Sequence, residues 1–110
     1  MVKQIPKKLL IHSIEHERLI NDDGWDPEYE EPVTIKNVRV EATSRLQRGS
    51  DSQGEVVSHV VFVDRKHSSQ FPNFNVGDRV TFNEISREVV DVKSFYAFGR
   101  EIHHYELELR

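Results

Sequence analysis

The clearest alternation of apolar and polar positions in the chain lies in residues 79–92. Val80 and Phe82 fall on one face of an extended strand, and the residues between them fall on the other. The dipeptide Asn83-Glu84 stands where a tight reversal is needed before a second β-rich run. A period of two that is bounded by turn residues predicts a β-hairpin with one buried face.

Residues 8–19 admit two interpretations. On a strand, Leu10, His12, Ile14 and His16 share one face. On a helix, the leucine and isoleucine of this set lie four positions apart and are also neighbours. The run is short and has no N-cap residue before it, which favours the strand.

Two more segments have the pattern of strands. Residues 33–42 alternate, but the apolar phase slips at Lys36-Asn37, which is typical of a β-bulge. Residues 55–63 are largely apolar on both faces, as expected for a strand that is covered on two sides.

The last ten residues alternate again, with tyrosine and leucine facing inward and His104, Glu106 and Glu108 facing outward. These outward residues fit the exposed face of an edge strand. The whole pattern predicts one all-β domain over residues 1–110, a small barrel or sandwich of five to six mainly antiparallel strands.

Length and composition narrow the class of protein. At 110 residues the chain has the size of one domain, in which we expect residues 1–7 to form a flexible N-terminus. The absence of cysteine excludes a disulfide framework and a thiolate zinc site. Residues 9–11 are the only apolar run that the N-terminus leads into, too short for a signal peptide or a membrane span. We therefore expect a protein made in the cytoplasm, without a membrane partner.

The charge imbalance is confined to one segment. The net charge is −4, and residues 21–31 alone hold six acids and no base. A proline and a glycine within this segment disfavour a long regular element, so we expect a connection between strands. Its tryptophan and tyrosine suit an interface, because each combines a large apolar body with a polar edge. We predict a docking loop that contains Asp22, Asp23, Trp25, Asp26 and Tyr29.

Residues 43–54 are the longest stretch without a core-forming pattern. They hold one large aliphatic residue, two glycines and three serines, and we predict a long mobile loop here. The chain has no basic stripe of the kind that marks a protein binding duplex DNA.

Catalytic, metal and cofactor motifs were sought in the sequence. No catalytic triad order, phosphate-binding loop, dinucleotide fingerprint or nucleophile elbow occurs, and we predict a protein without catalytic activity or cofactor. Glu30 follows Gly24 by six positions, but the alternating ligands of a calcium loop are missing. A barrel-mouth metal site at His104 and Glu106 is the weakest alternative.

Binding of single-stranded nucleic acid is a further alternative. Five aromatic side chains could stack on bases, and four basic side chains could contact phosphates. These residues are Phe71, Phe74, Phe95, Tyr96 and Phe98, with Arg45, Arg48, Arg65 and Lys66. The aromatic residues fit core positions as well, and acids balance the bases.

The order of features resembles a known family more than any single motif does. After the acidic segment with its tryptophan come PVTIKNVRV at residues 32–40, VVFVD at 60–64, FNVGDRVTFN at 74–83 and HHYELEL at 103–109. This order over residues 8–109 resembles the minor capsid proteins encoded in the head-tail region of tailed phages and prophages of Gram-positive bacteria. It is also similar to the head-completion, or stopper, proteins of long-tailed phages.

The resemblance implies a virion protein at the head-tail junction. Such a protein forms a ring below the portal and adaptor, retains packaged double-stranded DNA without binding its sequence, and docks the tail. In stoppers, a long loop between two barrel strands closes the channel. The corresponding residues here are Arg45, Leu46, Gln47, Arg48, Gly49, Ser50, Asp51 and Gly54.

Calcium distinguishes a docking loop from a metal site in the acidic segment. Excess calcium would stabilise a protein that binds it tightly by several kcal/mol through mass action. We expect millimolar calcium to leave the melting temperature unchanged. A clear rise would contradict the docking interpretation of Asp22, Asp23, Asp26, Glu28, Glu30 and Glu31.

Overall fold

The computed structural model describes residues 6–21, 26–42, 57–96 and 101–110. Within these ranges the chain is almost entirely β-structure, with one 3₁₀ turn at Lys7–Leu9 before the first strand. The strands are β1 (His12–Glu17), β2 (Leu19–Asn21), β3 (Glu28–Tyr29), β4 (Val33–Ala42), β5 (His59–Asp64), β6 (Arg79–Phe82), β7 (Ile85–Tyr96) and β8 (Ile102–Leu109).

Six of the strands close into a barrel in the order β1-β4-β5-β8-β7-β6, and β6 pairs with β1 to complete the circle. All of these pairings are antiparallel. β2 and β3 form a separate two-stranded sheet. The all-β prediction is therefore confirmed, and the strand interpretation of residues 8–19 holds for β1.

The predicted hairpin is formed by β6 and β7. Phe82 pairs with Ile85, so only Asn83 and Glu84 make the turn. Their φ angles are +52° and +66°. Positive φ at both central residues defines a type I′ turn, whose twist matches that of the flanking strands.

The phase slip in β4 is a β-bulge. His12 pairs with Val38 and Ser13 pairs with Lys36, which leaves Asn37 as the extra residue. Asn37 has a φ of +60°, a conformation that asparagine tolerates better than most residues. Its carbonyl oxygen accepts a hydrogen bond from Ser68 Oγ at 2.6 Å.

The barrel interior is filled by aliphatic side chains from every barrel strand. The fully buried residues include Ile14, Ile35, Val38, Val61, Val63, Val80, Val89, Leu107 and Leu109. Phe82, predicted to face inward, packs against this cluster but is only partly buried. Val60 and Phe62 on the outer face of β5 are half-buried, so the prediction of a strand covered on both sides is only partly right.

The position of β8 corrects one prediction. β8 lies between β5 and β7 and is not an edge strand, because closure of the barrel gives it a partner on each side. Glu108 faces outward as predicted but is buried, and its carboxylate accepts a hydrogen bond from Lys93 Nζ at 3.0 Å. This hydrogen bond raises the pKa of Lys93.

The antiparallel order assigns each connection to one of two barrel ends. The hairpin end contains the Asn83-Glu84 turn, Ala42, Val57 and the C-terminal residue of β8. The acidic end contains β2, β3 and the connections that leave β5 and β7. The predicted mobile loop at residues 43–54 lies outside the described residues, as do residues 1–5 of the N-terminus predicted to be flexible over residues 1–7. Lys7, the last residue of that segment, begins the 3₁₀ turn.

Truncation of a core side chain tests this barrel. Leu107→Ala removes a fully buried side chain from the centre of β8 and should lower the free energy of unfolding by about 2–5 kcal/mol. Val76→Ala is the matched control, because Val76 is 61% exposed and should matter by no more than about 0.5 kcal/mol. Chemical denaturation measures both, and equal small effects would contradict the assigned core.

Candidate interaction surfaces

The acidic end rests on a buried carboxylate at Asp78, whose exposed fraction is 0%. Its Oδ2 accepts hydrogen bonds from His16 Nε2 at 2.8 Å and from the backbone N–H of Asn75 at 3.0 Å. Its Oδ1 accepts one from the backbone N–H of Leu19, also at 3.0 Å. Three donors from separate parts of the chain thus compensate for the loss of hydration and fix where β2 begins.

A glycine beside Asp78 allows β2 to approach the barrel. Gly77 has a φ of +98°, as position three of the Asn75–Asp78 turn requires. A Cβ atom at Gly77 would lie 2.9 Å from Leu19 Cδ2. A larger residue would therefore strain the turn through its positive φ and require the Leu19 side chain to shift.

Tyr29 of the predicted docking loop contacts the barrel wall. Arg79 donates two hydrogen bonds to the Glu17 carboxylate, both at 2.8 Å. The Arg79 guanidinium carbon also lies 4.2 Å from the centroid of the Tyr29 ring, a cation–π geometry. The hydrogen bond from Arg79 lowers the pKa of Glu17 and raises that of Arg79. Asp26 is exposed, while Asp22, Asp23 and Trp25 lie outside the described residues.

A surface groove of about 190 Å³ runs along the base of this segment. It is lined by His16, Arg18, Glu30, Glu31, Val33, Gln70 and Pro72. Glu30 and Glu31 are exposed at its margin. The groove thus combines carboxylates with apolar surface, which suits the long side chain of a partner's lysine or arginine.

The roots of the 43–56 connection are held firmly at the hairpin end. Arg39 pairs with Glu41 at 2.7 Å and donates to the carbonyl of Leu9 at 3.3 Å. On the returning side, the backbone N–H of Ser58 donates to the carbonyl of Leu109 at 2.8 Å. The eight predicted channel-closing residues all lie between these roots, outside the described residues.

The aromatic residues of the nucleic-acid hypothesis do not form one surface. Phe71 stacks on Tyr105 with ring centroids 4.7 Å apart, and Phe74 is buried between Tyr105 and His16. Phe95 and Tyr96 are exposed, while Phe98 lies outside the described residues. The predicted stacking residues that the structure describes are therefore divided between the core and the C-terminal end of β7.

Three histidines of the described residues contact side chains or backbone groups of the barrel. His12 Nδ1 accepts a hydrogen bond from the backbone N–H of Val40 at 3.0 Å, and His16 binds Asp78. His104 Nε2 lies 3.5 Å from Glu106. Within the described ranges, no group of three or more histidine and carboxylate side chains has the arrangement of a metal site.

Comparison with known families identifies the family of this chain. The model of a family described as minor capsid protein matches residues 6–109. The chain belongs to the minor capsid protein family. No curated protein and no solved structure matches it significantly.

Membership in the minor capsid family indicates a structural, non-enzymatic protein of the virion. The resemblance to minor capsid proteins, drawn from the order of sequence features, is thus confirmed. In the described part of the chain, no helix is both long and apolar enough to cross a membrane.

Sequence reasoning missed the role of Asp78 as the anchor of the acidic end. The signal was present, because Asn75-Val76-Gly77-Asp78 has the composition of a turn that feeds a strand. Nothing in the local pattern shows that the carboxylate meets His16, which is 62 positions away in the chain.

The Glu17–Arg79 pair gives a pH-dependent prediction. Because the folded pKa of Glu17 is lowered, its stabilising contribution is present above the unfolded value of 4.5 and is lost as the pH falls through the folded value. Glu17→Gln should reduce the free energy of unfolding by about 1 kcal/mol at neutral pH. This difference from the parent protein should shrink below about pH 4.5.

Chemical denaturation at a series of pH values measures the effect. Glu15→Gln is the matched control, since Glu15 is an exposed carboxylate two positions earlier on β1. A Glu17→Gln difference that stays constant down to about pH 3 would contradict the assigned ion pair.

Proposed function

We propose that this minor capsid protein is a head-completion component of the head-tail connector. Copies form a ring below the portal and adaptor, retain packaged DNA and dock the tail. The observation that carries the proposal is the placement of two unusual connections at opposite ends of one closed barrel. Ala42 and Val57, which flank one connection, both lie at the hairpin end, and β2 and β3, which flank the other, lie at the acidic end.

A closed barrel suits a ring subunit. Its backbone hydrogen bonds are used in strand pairing around the circle, so the wall is a rigid body with few edges for unspecific strand addition. Specific contacts then come from the connections at its ends. Opposite ends allow one subunit to contact a ring above it and another below it at the same time.

The connection at residues 43–54 is the proposed gate. Its roots are fixed by Arg39 and Ser58, which gives a constant starting point for each copy in a ring. Several copies that converge on the axis can satisfy one another's backbone groups by strand pairing. Gly49 and Gly54 supply the hinges for this movement.

Charge also supports a DNA conduit. Every strong phosphate contact would exchange counterions and slow the passage of DNA. The whole chain has a net charge of −4, and outside residues 21–31 it has only +2, so even that part offers little attraction to DNA. Arg45 and Arg48 are the exception, because a ring multiplies them into a positive collar around the duplex.

The acidic end is the proposed docking surface for a basic neighbour in the connector. Asp22, Asp23, Trp25, Asp26 and Tyr29 supply charge and aromatic area. The Arg79 contact holds Tyr29 against the barrel, which lowers the entropy that a partner would otherwise have to remove. The groove beside Glu30 and Glu31 accepts a basic side chain.

Shortening the gate tests the proposal. Deletion of residues 47–53 should leave folding and incorporation into particles intact, because changes in a surface loop cost little free energy. We expect filled heads that lose DNA before tails attach, measured as nuclease-accessible DNA in purified particles. Particles that retain DNA normally would show that this loop is not the gate.

Two control variants separate gating from docking. Glu84→Gly changes the other turn at the hairpin end. Glycine readily adopts the positive φ of this position, so the turn should persist and DNA retention should be normal. Asp22→Asn combined with Asp23→Asn and Asp26→Asn should retain DNA but reduce tail attachment. Normal tail attachment by this triple variant would contradict the docking role.

A further inference from the structure

One buried side-chain atom among the described residues lacks a hydrogen-bond partner, the Nε2 of His103. His103 lies at the beginning of β8, where Phe95 pairs with His104 and Tyr96 pairs with Ile102. His103 is therefore the extra residue of a β-bulge. Bulges re-aim side chains, and this one brings two consecutive histidines together.

The two imidazole rings share one hydrogen bond. His103 Nδ1 and His104 Nδ1 are 2.8 Å apart, and the ring planes are nearly perpendicular at 79°. His104 also stacks on Phe95, with centroids 4.7 Å apart and an angle of 6° between the planes. His103 is 6% exposed, so this contact lies mostly out of water.

The contact determines where the protons sit. Only one hydrogen fits between two nitrogens at this distance, so one Nδ1 donates and the other accepts. Glu106 lies 3.5 Å from His104 Nε2 and favours a hydrogen on that atom. His104 Nδ1 is then the acceptor and His103 Nδ1 the donor. The unpartnered His103 Nε2 carries no hydrogen, which avoids a buried, unpaired N–H group.

An added proton has no suitable position in this pair. On His104 Nδ1 it would face the N–H of His103 unless His103 moves its own hydrogen to Nε2, and that atom would then be a buried N–H without a partner. On His103 Nε2 it would create a buried charge with no partner. Each protonated form of the closed pair therefore opposes two N–H groups or leaves one buried and unpaired, so protonation favours separation of the rings.

The charged groups around the pair do not relieve this conflict. Asp64, the β5 partner of His104, accepts hydrogen bonds from the backbone N–H groups of Lys66 and His67. On β7, Lys93 is paired with Glu108. Arg65 binds the His103 carbonyl through its backbone N–H and points its guanidinium to Glu101.

The other titratable groups around the pair are Tyr96, Tyr105 and Glu106. Glu106 contacts the outer nitrogen of His104 and holds a protonated His104 in place. The closed pair then leaves either two opposed N–H groups or a buried, unpaired N–H on His103, so His103 is the ring that turns away.

We propose that the His103–His104 pair is a proton-sensitive latch for the end of the β7–β8 hairpin. It is closed while both rings are neutral and opens when one of them is protonated. Opening separates the two imidazole rings and disrupts the bulge at His103. It also ends the stacking of the exposed Phe95 ring on His104. The latch is a property of the barrel and does not depend on the proposed place in the connector.

Nuclear magnetic resonance of the full chain tests the latch. At about pH 7.5, imidazole nitrogen shifts should show the Nδ1–H tautomer for His103 and the Nε2–H tautomer for His104. Between about pH 7.5 and about pH 5.5, amide protection at residues 93–96 and 102–104 should fall roughly tenfold after correction for intrinsic exchange. Protection of Val61 and Leu107 should stay unchanged. Any other tautomer pair, or constant protection at residues 93–96 and 102–104, would overturn the proposal.

Variants locate the effect in this pair. His103→Phe keeps a ring in the bulge but removes both nitrogens, and it should abolish the pH step. His104→Phe, at a less buried position, should abolish it too and serves if the first variant does not fold. His59→Phe, at the hairpin end, is the matched control and should retain the step. A step that survives in the folded His103 or His104 variant would refute the latch.

Discussion

The barrel depends on the buried carboxylate of Asp78. Its side chain binds His16 of β1 and the first residue of β2, and its carbonyl oxygen accepts the backbone N–H of Val89 in β7 at 2.8 Å. A carboxylate leaves water at a large cost unless donors surround it. The need to satisfy this group therefore brings together the strands that close the circle, at the point where β6 begins.

The closed barrel wall leaves the irregular segments of the chain at the two ends of the barrel. The wall consists of paired strands around an aliphatic core, and the features that distinguish this chain lie outside it. The acidic end is tied to the wall through Leu19 and the Arg79–Tyr29 contact. The hairpin end anchors both roots of residues 43–56. In the connector role that we propose, the barrel wall is the spacer between the two proposed contact regions.

The three bulges show how irregular positions acquire specific contacts. Asn37 in β4 binds the connection after β5 through its carbonyl, and Val90 is the extra residue where β7 passes Asp78. The bulge at His103 in β8 places a polar ring in a mostly buried position beside His104. At Asn37 and His103, the inserted residue breaks the ladder locally and gives a carbonyl or a side chain a partner that regular pairing would not allow.

The sequence by itself determined the local elements. Alternation predicted the β6–β7 hairpin, the phase slip at Lys36-Asn37 predicted a bulge, and the order of segments indicated the family. These succeed because side-chain period and turn chemistry act over a few residues. Only the tertiary structure decided that β8 is central, that Asp78 meets His16, and that His103 is buried without a partner at Nε2. Such features depend on which strands become neighbours when the barrel closes, and a local pattern carries no record of a partner about 60 positions away.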